Sequence, residues 1–232
     1  MKKILITGGE GGLAKELISE GGKEYNFITP SRKDMDITCV DTVYSYIKEH
    51  KPDIVIHAAA LTKPMSLHDT DIKRSINVNI IGTANVVKIC EEYNIKLVYI
   101  STDYVYPVDS IDVNEESGLS PINNYGWSKL GGECSVKMYD NSLIIRLSFS
   151  ETPFPHDSAY TNIIRNHLYI DEASKLILSV IGKVGVINLG CNSNHTLYEF
   201  ATKTNMMVKP IEFTGDELPK IMTLNVNKLW NS

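Results

Sequence analysis

Short apolar runs and amphipathic stretches alternate along most of the chain. Residues 3–7 form an apolar run that stops at Gly8-Gly9, as a strand buried on both faces of a parallel sheet does. Leu13, Ala14, Leu17 and Ile18 then recur at helical spacing until Gly21-Gly22 ends the helix. The rhythm repeats. A strand is predicted over 25–29, a helix on Val40, Val43, Tyr44 and Ile47 closed by Pro52, and a strand over 53–58. A long helix follows over 72–93, then a strand over 96–101, a helix over 125–138 and a strand over 142–146. Beyond that the pattern weakens, to a helix over 171–181, a strand over 185–189 and a helix over 196–204. Strand and helix in this order predict an α/β fold, a doubly wound parallel sheet with right-handed crossovers. Two stretches read as loop-rich, 107–124 and 148–166, and both follow the C-terminal ends of strands, where such sheets hold ligands.

With 232 residues, 43% of them hydrophobic, the chain can bury a substantial core. A formal net charge of −5 and the lack of any Lys/Arg-rich block argue against nucleic-acid binding. The apolar run at 4–6 is too short for a signal peptide, and no later run reaches membrane-spanning length. Cys39, Cys90, Cys134 and Cys191 lie far apart, which predicts reduced thiols in a cytoplasmic protein. No His/Cys/Asp/Glu spacing suggests a metal site.

Thr7-Gly8-Gly9-Glu10-Gly11-Gly12-Leu13-Ala14 lies between the first predicted strand and the first helix. A diphosphate needs close backbone approach and free N–H groups at a helix N-terminus, and glycines permit both. Two frames fit, Gly9-x-Gly11-x-x-Ala14 and Gly8-x-x-Gly11-x-x-Ala14, so a Rossmann-type dinucleotide site on Gly8, Gly11, Gly12 and Leu13 is expected. The second strand ends without a carboxylate before Asp34, whereas Arg32 and Lys33 stand where a 2′-phosphate would lie. That favours NADP(H), with NAD(H) the alternative; a plain solvated basic turn would look the same.

Ile100-Ser101-Thr102-Asp103-Tyr104-Val105-Tyr106 ends a strand, and Tyr125-Gly126-Trp127-Ser128-Lys129 opens a helix. Residues four apart share a helix face, so Tyr125 and Lys129 can address one ligand. With the glycine loop, Asp36-Ile37-Thr38, His57-Ala58-Ala59-Ala60 and Asn77-Val78-Asn79-Ile80-Ile81-Gly82-Thr83, these segments resemble the extended short-chain dehydrogenase/reductase family. Within it they are most similar to dTDP-4-dehydrorhamnose reductases of dTDP-rhamnose and polysaccharide biosynthesis. The resemblance runs from residue 3 to about 147. It implies that Asp36 and Ile37 flank the adenine, that Ala58, Ala59 and Ala60 line the cofactor cleft, and that Asn79 braces the active-site strands. Thr102, Tyr125 and Lys129 would be catalytic, Lys129 also holding the nicotinamide ribose. Tyrosine exchanges protons poorly at its free pKa of about 10. A lysine ammonium at about 4 Å attracts a phenolate by about 4 kcal/mol at a surface-like dielectric, before desolvation. On that reasoning Lys129 would bring Tyr125 toward neutral pH.

Related 4,6-dehydratases carry Thr-Asp-Glu where this chain has Thr102-Asp103-Tyr104, which matches the reductase pattern instead. The implied substrate is a nucleotide-linked 4-keto-6-deoxysugar, reduced with hydride from the nicotinamide and a proton from Tyr125. Asp103, Tyr104, Trp127, His156 and Arg165 are candidate substrate residues, the last two for the sugar diphosphate or as solvated loop charges. His57 reads as a satisfied core or rim histidine. The expected division is a dinucleotide-binding Rossmann core with the catalytic residues over 1–147, and a reduced substrate-binding region over 148–232 interleaved with the last sheet strands. Pro107 departs from the family's turn, and 148–166 reads as a shortened substitute for a longer substrate-reading segment. The family commonly dimerises through the helices that here span 72–93 and 125–138, which implies a homodimer. Two other readings stay open, a sugar-nucleotide epimerase with tightly held NAD and a non-catalytic NADP-binding subunit like that of methionine adenosyltransferase.

Overall fold

The apolar runs become the strands of one parallel sheet. The computed structural model describes residues 1–215 and 218–230, without the side chain of Trp230. Its main strands are β1 (Lys2–Thr7), β2 (Tyr25–Ile28), β3 (Ile54–His57), β4 (Lys96–Ile100), β5 (Ser142–Leu147) and β6 (Gly185–Leu189). They lie in the order β2-β1-β3-β4-β5-β6, every pair parallel. The order reverses between β1 and β3, and at such a switch point a crevice opens beyond the carboxyl ends of the strands.

Strand periodicity assigns side chains to the two faces. Ile4 and Ile6 of β1, with Ile54 and Ile56 of β3 and Leu143 and Ile145 of β5, pack under helices α1 (Gly12–Gly21) and, later in the chain, Ile170–Val180. Leu5, Val55, Leu97, Tyr99 and Ile144 point the other way. They pack under α2 (Val40–His50), α3 (Gly82–Glu92) and α4 (Asn124–Lys137). The Ile170–Val180 helix is α5. His57 is the core histidine expected, its Nδ1 2.7 Å from Thr7 Oγ1 and its Nε2 3.0 Å from Thr83 Oγ1.

The helix predicted over 72–93 differs in one respect. Ile72–Ser75 and α3 are α-helical, but Ile76–Ile81 between them is a π-helical turn. Such turns insert one residue and re-aim side chains, often at functional sites. Here the turn carries buried Asn79, whose amide donates to Leu61 O and Ser128 Oγ while its Oδ1 accepts from Leu61 N. Asn79 thus ties the segment after β3 to α4.

The two stretches read as loop-rich are partly strand. Ser110–Val113 pairs with Ile221–Leu224, which also pairs with Ile164–Arg165, and that strand pairs with His195–Thr196. Phe149–Ser150 pairs with Leu168–Tyr169, and Ser158–Tyr160 with Lys209–Ile211. Their partners are distant in sequence, so only the folded chain reveals the pairings.

Candidate active site

The glycine loop is shaped by close backbone approach. Gly8 adopts φ +72°, and a Cβ there would sit 2.9 Å from Ala59 Cα. A Cβ on Gly9 would lie 2.6 Å from Thr29 Cβ. Gly11 caps α1 without a side-chain hydrogen bond, and no acidic residue occupies the first turn. The free N–H groups of that turn and the positive end of the helix dipole therefore remain available to an anion.

From this loop a cavity of about 750 Å³ runs across the carboxyl ends of β1, β3, β4 and β5. Its volume and its uncapped helix terminus fit a dinucleotide, which needs room and a cradle for a diphosphate. Gly8, Gly11, Gly12, Leu13, Arg32, Asp36, Ile37, Ala58, Ala59 and Ala60 all line it. Arg32 also lines an adjoining cleft with Glu10, Ser31, Lys33 and Asp36. Its Nε donates to Asp36 Oδ2 at 3.1 Å, so the side chain is steered toward the site while its terminal nitrogens stay open. Asn79 is absent from the cavity wall; it acts behind the wall, through Leu61 and Ser128.

Thr102, Tyr104, Tyr125 and Lys129 converge on the far part of the same cavity. The Thr102 side chain faces the Tyr125 hydroxyl while its own Oγ1 donates to Asp103 Oδ1 at 3.1 Å, and the Tyr104 ring meets the Tyr125 ring edge-on at 5.9 Å. Lys129 Nζ donates to Ile100 O at 2.7 Å and lies 4.1 Å from the centre of the Tyr99 ring. Burial pushes the Tyr125 phenol well above its ordinary pKa, against the opposing pull of the Thr102 hydroxyl. Burial also lowers the Lys129 ammonium to about 7, with the nearby Glu133 carboxylate acting the other way. The expected lowering of Tyr125 by Lys129 is therefore corrected. Lys129 is buried and Tyr125 half-buried, which disfavours their charged forms, and the ammonium is engaged by a carbonyl and a ring face.

Four of the five candidate substrate residues lie off the cavity wall. Trp127 is about half exposed on α4, because residues two apart on a helix face different ways and Tyr125 takes the inward direction. Asp103 is buried beside Thr102, and burial raises its carboxyl pKa. Arg165 is neither a solvated charge nor a cavity residue. It is 5% exposed, its fork donates to Ile164 O and Pro219 O, and its charge faces Asp103 and Tyr104 from behind. His156 is exposed against the edge of Phe154. In their place the wall carries Thr62, Lys63, Met65 and Arg74 after β3, and Phe149 and Glu151 after β5. The sequence signal for these was only their position after strand ends.

Among the described residues, no group of three His, Cys, Asp or Glu could hold a metal ion, and no helix is long and apolar enough to cross a membrane. All four cysteines are free thiols.

Residues 1–152 match the family described as RmlD substrate binding domain. The chain belongs to that family. The match ends close to where the sequence resemblance fades. Among relatives of the RmlD substrate binding domain chain, the dTDP-4-dehydrorhamnose reductase of Aggregatibacter actinomycetemcomitans is 31% identical over 156 residues, 65% of this chain and 52% of that protein. The methionine adenosyltransferase 2 subunit beta of Danio rerio is 25% identical over 215 residues, 88% of this chain and 60% of that protein. In sequence the chain thus spans about half the length of the curated reductases it matches. In structure it matches the dTDP-4-dehydrorhamnose reductase from Bacillus anthracis, solved in complex with NADP, at 28% identity and a TM-score of 0.88. That superposition covers 99% of this RmlD-family chain and 91% of the other.

Proposed function

We propose that this chain is an NADP(H)-dependent reductase of a nucleotide-linked 4-keto-6-deoxysugar, of the dTDP-4-dehydrorhamnose reductase type. One observation carries the reading: Thr102, Tyr125 and Lys129 line the same cavity as the glycine loop. Bound NADPH would supply a hydride. Gly8, Gly11, Gly12 and Leu13 would hold its diphosphate, Ala58, Ala59 and Ala60 would line its path, and Asp36 and Ile37 would flank its adenine. Tyr125 would hold the proton for the ketone oxygen, Thr102 would orient that oxygen by a hydrogen bond, and Lys129 would hold the ribose. Mixing purified protein, NADPH and a dTDP-linked 4-keto-6-deoxysugar should consume NADPH. Binding of NADPH without turnover of any such sugar would favour a non-catalytic subunit, a reading supported by the Danio rerio relative.

Arg32 is assigned to the 2′-phosphate. A hydrogen bond to a charged group contributes about 1.5–3 kcal/mol, and the exposure of Arg32 places it at the low end. Arg32→Ala should then weaken NADPH binding about tenfold and leave NADH unchanged. Equal affinities for both cofactors in the parent protein would remove the assignment.

For the substrate diphosphate, Lys63 and Arg74 replace His156 and Arg165 as candidates. Both line the cavity, both are exposed, and neither side chain has a hydrogen-bond or ion-pair partner among the described residues. The double variant Lys63→Ala/Arg74→Ala should raise KM for the nucleotide sugar about tenfold or more, with NADPH affinity kept and the effect shrinking at high salt. An unchanged KM would move the diphosphate elsewhere.

We further propose a cytoplasmic homodimer joined through the helical stretches over 72–93 and 125–138, where Ile72, Ile76, Ile81 and Trp127 are exposed. Light scattering of the purified chain tests the pairing.

A further inference from the structure

Glu133 lies one helical turn beyond Lys129 on α4, and both are 3% exposed. Such depth is unusual for two charged groups and costs free energy unless each is held. The Glu133 carboxylate is held by two residues. Arg146 of β5 donates to it through Nη2 at 2.8 Å and through Nε at 3.1 and 3.2 Å. The Ser101 hydroxyl, next to Thr102 at the end of β4, donates to the same Oε1. Arg146 also donates to the Tyr106 hydroxyl at 2.9 Å, and Tyr106 in turn donates to Asn188 Oδ1 of β6 at 2.9 Å. One buried chain of contacts thus joins the Thr102 turn, α4, β5 and β6.

We propose that Glu133 is a positioning residue for the Thr102–Tyr125–Lys129 site, its carboxylate locking Ser101 beside Thr102 and supplying the counter-charge for Lys129. This deepens the proposed reductase but rests on geometry that holds without it. Arg146 consumes much of the carboxylate's hydrogen-bonding capacity, yet its guanidinium approaches from β5, on the side of Tyr106. Lys129 meets the Tyr99 ring and the Ile100 carbonyl of β4. His57 of β3 feels the Lys129 charge but is itself pushed down to about 3 by burial, so it stays neutral. Tyr125, on the same helix as Lys129, is held protonated by burial. Glu133, buried one turn along the same helix, is the carboxylate that opposes the effect of burial on Lys129.

The sign follows from charge. A carboxylate favours the ammonium, so its removal lets burial lower Lys129 further. In protein carrying 13C-labelled lysine, the Lys129 side-chain signal of the free parent should titrate near 7. Glu133→Gln should shift that midpoint down by about one pH unit or more, a tenfold change in the ammonium-to-amine ratio at fixed pH. Because Glu133→Gln strands Arg146, the paired variant Glu133→Gln/Arg146→Met removes both charges and should still shift the midpoint down but by less, since the guanidinium that opposed the ammonium is gone too. Ser101→Ala keeps the charge and should leave the Lys129 midpoint in place, while lowering kcat at unchanged NADPH affinity through a looser Thr102. An unshifted Lys129 midpoint in both folded Glu133 variants, or a kcat unaffected by Ser101→Ala, would overturn the proposal. The NMR readout needs neither substrate nor cofactor, so its failure is separate from failure of the reductase reading.

Discussion

Phenylalanine in place of Tyr125 is expected to lower turnover of a 4-keto-6-deoxysugar nucleotide by about 10²–10⁴-fold, the range general acid catalysis contributes. The substitution removes one oxygen. It keeps the ring that packs edge-on against His68 and Tyr104, so stability and NADPH affinity should change little. The raised pKa of the phenol sets the protonation state. A group whose pKa lies above the ordinary tyrosine range carries its proton throughout neutral pH, as a proton donor must in the reducing direction. In the free protein, loss of activity with rising pH should therefore follow Lys129, whose ammonium gives way to amine above about 7, and not Tyr125. Stopped-flow measurement of NADPH oxidation by the variant decides the matter. Parental turnover would take Tyr125 out of the mechanism.

Alanine at Gly8 should damage the cofactor half severely. Two penalties add. An L residue at φ +72° pays a left-handed cost of about 1–2 kcal/mol. Its Cβ would also press on the Ala59 backbone, with Cα at 2.9 Å and N at 3.0 Å, where no side chain can rotate away. Overpacking of this kind costs about 1–3 kcal/mol, so the total is roughly 2–5 kcal/mol. Urea unfolding should show that loss, and NADPH binding should fall with it, since the loop and 58–60 line one wall. Gly11→Ala is the control. Its Cβ would meet only Gly8 O at 3.1 Å, so stability should be nearly kept while the dinucleotide is denied close approach. Equal stability of Gly8→Ala and the parent would show that the loop relaxes freely.

What the sequence by itself determined is what depends on local pattern. The inner strands are apolar runs because both sheet faces are covered there, and all six main strands were legible to within a residue or two. The glycine loop was legible because a positive φ and a close backbone approach leave few residue types to choose from. Tyr125 and Lys129 shared a face because four residues make about one helical turn. Tertiary structure decided the rest, for reasons of distance and burial. The strands Ser110–Val113, Ile164–Arg165 and Ile221–Leu224 form because segments distant in sequence meet. Arg165 reads as a loop charge until its fork is seen to be held by the carbonyls of Ile164 and Pro219. Lys63 and Arg74 gain meaning only from the cavity they border. The direction of the Tyr125 shift was the sharpest reversal. Pairwise charge reasoning favoured the phenolate, but burial acts on both partners at once, and desolvation of a charged group is a property of the whole fold and not of any spacing in the chain.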